Sequence, residues 1–137
     1  MNQLVENTRK PTNKISRAWA PFAHKLAATL EKLEEDQYLI LSVKHSDRFI
    51  QFAAQGSFGI RIETSSNSYL DGPEQLYEEQ VATLIDVGWE RPSGAPAEST
   101  HEGDPDGSPN FFVDFPAPVS FESIANLTVR TFSEILR

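Results

Sequence analysis

Cysteine is missing from this 137-residue chain, and that absence excludes a disulfide framework, a thiolate-held metal and a cysteine nucleophile. Long apolar runs are missing too. None comes near the roughly 18 residues a bilayer-spanning helix requires, so no membrane association is expected. Residues 1–17 have neither an apolar core nor a small-residue cleavage site, so no secretory signal is expected and the cytoplasm is the expected compartment. The patterns G-x-x-x-x-G-K-[ST] and G-x-G-x-x-G do not occur, which removes the usual phosphate cradles. Basic charge is scarce beyond the N-terminus. Arg9, Lys10, Lys14, Arg17 and Lys25 stand against Glu6 in the first 25 residues, whereas residues 26–137 hold seven basic and nineteen acidic side chains. A body that acidic repels a phosphate backbone, so no nucleic-acid partner is expected.

What remains is an amphipathic pattern of two periods. From Trp19 to Asp36, the residues Trp19, Phe22, Ala23, Leu26, Leu30 and Leu33 recur at helical spacing. Pro21 belongs in the first turn of such a helix, and Glu34, Glu35 and Asp36 favour its end. Tyr38–Lys44 and Phe58–Thr64 alternate with period two, Arg48–Ala54 is aromatic and aliphatic, and three-residue links separate the runs, which predicts an antiparallel meander. Asp71-Gly72-Pro73-Glu74 carries the residues of a helix start, with Tyr77, Val81, Leu84 and Ile85 as the buried stripe. Gly88 should end that helix and return Trp89 onto Leu84. Asn110–Phe115 reads as a fourth strand. A last helix is expected from Ser120 as N-cap, burying Phe121, Ile124, Ala125, Thr128, Phe132 and Ile135.

The predicted class is therefore α+β, in the order α-β-β-β-α-β-α, with helices packed on one face of an antiparallel sheet. Residues 1–15 are expected to form a flexible basic extension and 16–137 a single domain. The proline- and glycine-rich stretch 90–109 is expected to be a disordered loop.

The residues of catalysis do not assemble into a motif. His101-Glu102 opens a zincin-like pattern without the second histidine, and Asp104-Pro105-Asp106-Gly107 opens a calcium loop whose twelfth position is Phe115. Gln55-Gly56-Ser57-Phe58-Gly59 is one residue short of a nucleophile elbow. No catalytic residue, metal or cofactor is assigned, and an enzyme is not expected. Arg61 and Glu63 share a side of their strand and suit an ion pair with each other or a ligand contact. Phe111 and Phe112, adjacent on a strand, must face opposite sides.

Ser66-Asn67-Ser68-Tyr69-Leu70, then Leu84 and Gly88-Trp89-Glu90-Arg91-Pro92, then Asn110-Phe111 and a final helix ending near Phe132, form an ordered set. In this set the chain resembles, over residues 19–136, the actinobacterial TY-Chap domains, which are peptide-binding, chaperone-like and grouped with type III secretion chaperones and YbjN. The resemblance implies a secretion-chaperone fold and a peptide or protein client. That fold normally has two strands between its last two helices, where the sequence offers one. A homodimer is left open. Trp19, Phe22, Arg61, Asn67, Trp89 and Phe111 are the candidate peptide-binding residues. The aromatics would supply pockets, and Arg61 and Asn67 would supply hydrogen bonds to an extended client at a sheet edge or helix–sheet groove. A scaffold or regulatory subunit of a stable hetero-complex is the alternative.

Overall fold

Alternating side chains build the centre of the molecule. A computed structural model describes residues 15–93 and 107–136. In it, β1 (Tyr38–Ser42), β2 (Phe49–Ala54), β3 (Ile60–Thr64) and β4 (Phe111–Phe115) form one antiparallel sheet in sequential order. The register aligns Leu39 with Phe52, Phe52 with Ile62 and Ile62 with Val113, so one face is continuously apolar. Because side chains alternate, the other face carries Tyr38, Ile40, Gln51, Glu63 and Phe112.

Three helices cover the apolar face. α1 (Ala20–Glu31) buries Ala23, Leu26 and Leu30, α2 (Glu78–Val87) buries Leu84, and α3 (Phe121–Arg130) buries Ile124, Ala125, Thr128 and Val129. A π-helical turn, Thr131–Ile135, prolongs α3. Ser120 caps α3 by accepting from the Ser123 amide at 3.3 Å. The core joins these residues to Ile50, Phe52, Ile62, Trp89 and Phe111. The expected class and element order are observed.

Several boundaries differ from the sequence reading, each for a local reason. α1 stops at Glu31, short of Asp36, whose φ of 70° already lies outside a helix. Phe58 is not in β3 but in a short 3-10 turn, where its ring is 81% exposed. Gly59 (φ 101°) breaks the alternation there. A Cβ on Gly59 would sit 2.0 Å from the Phe115 carbonyl oxygen, so only glycine lets β3 and β4 close.

Gly72–Glu74 is a separate 3-10 turn with Asp71 before it and does not start α2. Glu74 is not a capping acid. It accepts from the Ser46 hydroxyl and the Asp47 amide, and chiefly the Ser46 bond holds its carboxyl below the ordinary 4.5. Arg48, buried beside it, donates to the Glu74 and Gln75 carbonyls and fastens this turn to the β1–β2 hairpin. Tyr77 is the N-cap of α2, and its amide donates to the Gln80 side chain at 2.8 Å. Tyr77 is therefore exposed and is not part of the stripe.

Gly88 does end α2, at φ 126°. Its amide donates to the Ile85 carbonyl and that of Trp89 to the Leu84 carbonyl, which closes the helix with a double hydrogen bond. Residues 94–106, most of the loop expected at 90–109, lie outside the described residues, as do residues 1–14 of the basic extension. The described ends of the loop are ordered. Glu90 exchanges backbone hydrogen bonds with Phe112 on the outer side of β4, and the Ser93 amide donates to the Ser108 carbonyl. Among the described residues, one bridge stands in the region where the resemblance implied a further strand.

Candidate functional site

The two rims of the sheet are unequal. On the β4 side the bridge from Glu90 and the Ser93–Ser108 bonds cover the edge with the chain's own backbone. On the β1 side no described segment pairs. The Val43 amide donates to Arg48 and the Ala54 amide to Gln37, so the odd-numbered residues of β1 are those bonded to β2. Antiparallel alternation then turns the amides and carbonyls of Tyr38, Ile40 and Ser42 outward. Their side chains are exposed, Tyr38 by 61% and Ile40 by 57%. β1 therefore offers both backbone hydrogen-bonding groups and apolar surface at an open edge.

A groove runs beside that edge, between α1 and β1. Trp19, Phe22, Leu41, Val43 and Phe132 line one compartment of about 300 Å³. Phe22, Leu26, Thr29, Leu39 and Leu41 line a second of about 250 Å³. Phe22 and Leu41 belong to both, so the two are adjacent. Trp19 and Phe22 meet edge to face, with ring centroids 5.6 Å apart, and this fixes the upper wall. Lys44 and Lys25 stand at the groove, one in each compartment.

Of the residues named from the sequence, Trp19 and Phe22 come together here. The other four lie elsewhere and are engaged within the chain. Trp89 is 2% exposed and its indole N–H donates to the Thr131 hydroxyl at 3.0 Å. Phe111 is a core residue of β4. Phe112, as alternation requires, lies on the opposite face, 4.7 Å beneath the Arg61 guanidinium. Arg61 does not pair with Glu63. It grips Asp114 across the strands through two bonds, at 2.7 and 2.9 Å, and donates to the Gly107 carbonyl. Glu63 instead accepts from the Ser108 hydroxyl and the Asn110 amide, so both side chains pin the stretch leading into β4.

Asn67 acts as a backbone clamp. Its oxygen accepts from the Leu76 amide at 2.6 Å and its NH2 donates to the Leu76 carbonyl at 3.1 Å. Replacing Asn67 with Ala strands both backbone groups. Urea unfolding of that variant should show a loss of about 1–3 kcal/mol, while binding at the α1–β1 groove stays unchanged. A loss of binding with full stability would make Asn67 a client contact instead.

The sequence reading missed Leu39, Leu41, Val43, Phe132 and the two lysines as groove residues. The signal for three of them was present, because the alternation that buries Leu39, Leu41 and Val43 exposes Tyr38 and Ile40 on the same strand. Among the described residues no group of three or more His, Asp or Glu side chains is placed to hold a metal, and no helix is long and apolar enough to cross a membrane. His101 and the acidic run Asp104–Asp106 lie outside the described residues.

No curated protein and no solved structure matches the chain. A family model does, over residues 12–137. An open strand edge beside an apolar groove is what a peptide-holding protein needs, and the chain belongs to the TY-Chap3 family, described as T3SS (YopN, CesT) and YbjN peptide-binding chaperone 3.

Proposed function

We propose that this protein is a non-catalytic chaperone-like module that holds a client segment in extended form along β1, with the client's side chains entering the α1–β1 groove. The observation that carries this reading is the coincidence of an unpaired edge and an apolar channel on the same strand. Strand addition draws affinity from main-chain hydrogen bonds and selectivity from pockets that take alternate side chains. Leu41 and Val43 line one compartment and Leu39 and Leu41 the other, residues that recur at every second position, so a client strand would place residues i and i+2 about 7 Å apart into them. Trp19 and Phe22 are the side chains of the original set that serve in this role.

The test is fluorescence anisotropy with a labelled peptide of alternating leucine and serine. Phe22→Ala opens the wall shared by both compartments and should weaken binding about tenfold. Circular dichroism establishes that the variant remains folded. Binding that Phe22→Ala leaves unchanged would place the client elsewhere.

A further inference from the structure

The charge around the groove opposes that of the molecule. The whole chain carries −8, yet Lys25 and Lys44 are the ionic side chains lining the two compartments, and no carboxylate lines either one. Both lysines are exposed, and neither enters an ion pair among the described residues. Arg61 holds Asp114, Arg130 holds Glu134 and Arg48 donates to backbone carbonyls, whereas Arg17, Lys32 and Arg91, which line neither compartment, share the lysines' lack of an ion pair among the described residues. A cationic rim left unmatched on an acidic body is a selective field for anions, because the rest of the surface repels them.

The field is also directional. α1 runs antiparallel to β1, so the start of the helix with Trp19 lies near Lys44, while Glu34, Glu35 and Asp36 precede Tyr38 at the opposite end of the strand. The N-terminal end of α1 carries positive partial charge and lies on the same side as Lys44. The positive potential is therefore strongest at the Lys44 end of the channel, and Lys25 extends it into the second compartment.

Resting on the peptide-holding reading above, we propose that the client is an acidic one. It is an extended segment with two apolar residues in alternate positions for the paired compartments and carboxylates flanking them beside Lys25 and Lys44. Antiparallel pairing of two β1 edges would set Lys44 of one copy opposite Asp36 of the other, so a second copy is the competing occupant and light scattering decides between the two. Nucleic acid also presents anions, but its backbone has no alternate apolar groups to fill the compartments.

Three labelled peptides test this. They share a core of alternating leucine and serine and differ only in flanking residues: glutamate, serine or lysine. The glutamate peptide should bind the full-length protein about tenfold more tightly than the serine one, and the lysine peptide more weakly than either. Raising the salt from about 0.05 to about 0.5 M should compress the series. In the double variant Lys25→Glu with Lys44→Glu the order should invert, and because both positions are exposed its circular dichroism should match that of the parent.

Equal affinity for all three peptides, still lowered by Phe22→Ala, would overturn the acidic preference while leaving the peptide-holding reading in place. Binding of none of them would sink the reading beneath it. A concentration-dependent dimer in light scattering that is dissolved by a change in β1 would also overturn the proposal, by assigning the groove to a second copy.

Discussion

Trp89→Ala is expected to lower the unfolding free energy by about 3–5 kcal/mol, because it removes the largest fully buried side chain of the core. Two terms add. Removing the indole leaves a cavity in the core beside Thr131 that close-packed neighbours refill only in part. The Thr131 hydroxyl also loses the indole N–H it accepts, although it keeps its own bond to the Leu127 carbonyl at 2.7 Å. Against a typical total of 5–15 kcal/mol, roughly, such a loss unfolds an appreciable fraction of the molecules at physiological temperature.

Urea titration by circular dichroism measures the shift in midpoint, and an unchanged midpoint would show that Trp89 is not a pillar of the core. Trp19→Ala is the natural control, as it alters the only other tryptophan. Trp19 is half-buried at the mouth of the groove, so its removal should cost less stability and more affinity for the client. The two indoles separate support from function. The Trp89→Phe variant would further leave Trp19 as the sole tryptophan reporter of groove occupancy.

The elements that the sequence made legible are those whose pattern is purely local. Short apolar runs between turn residues located all four strands, two of them by clean period-two alternation, and Ser120 and Gly88 marked helix ends through bonds each makes within a single turn. Where a residue's role depends on a distant partner, the local pattern misled. Asp71-Gly72-Pro73-Glu74 has the composition of a helix start, yet Glu74 is recruited by Ser46 and Asp47 from 28 and 27 residues away. Arg61 and Glu63 share a strand face, but their partners arrive on β4 and on the stretch before it.

The candidate site follows the same division. Trp19 and Phe22 were legible because they sit on the helical stripe. Trp89 and Phe111 drew attention as aromatics, but aromatics of that size are more often buried than offered, and these two are core residues. The groove itself arises from the separation between α1 and β1. That separation is a tertiary quantity, and no window of the sequence encodes it.

The edge itself is tested by proline. Ile40→Pro is expected to reduce client affinity by more than about tenfold while costing the fold little, because proline is tolerated on an edge strand where its missing N–H faces outward. Ile40 is such a position: its neighbours Leu39 and Leu41 carry the bonds to β2, and its own amide points away from the sheet. The substitution removes one donor from the client's main chain and sets a bulky ring in the path of an approaching backbone. One residue further along, Leu41→Pro would strip a donor from the β1–β2 ladder and should destabilise the protein by about 3 kcal/mol. Ile40→Ser supplies the complementary control. It deletes the exposed side chain but keeps the N–H, so its affinity should stay near that of the parent if the backbone carries the contact. Anisotropy and urea titration on the three variants separate backbone pairing from side-chain adhesion. Should Ile40→Pro bind as the parent does while Phe22→Ala does not, the client lies in the groove without extending the sheet, and strand addition is refuted.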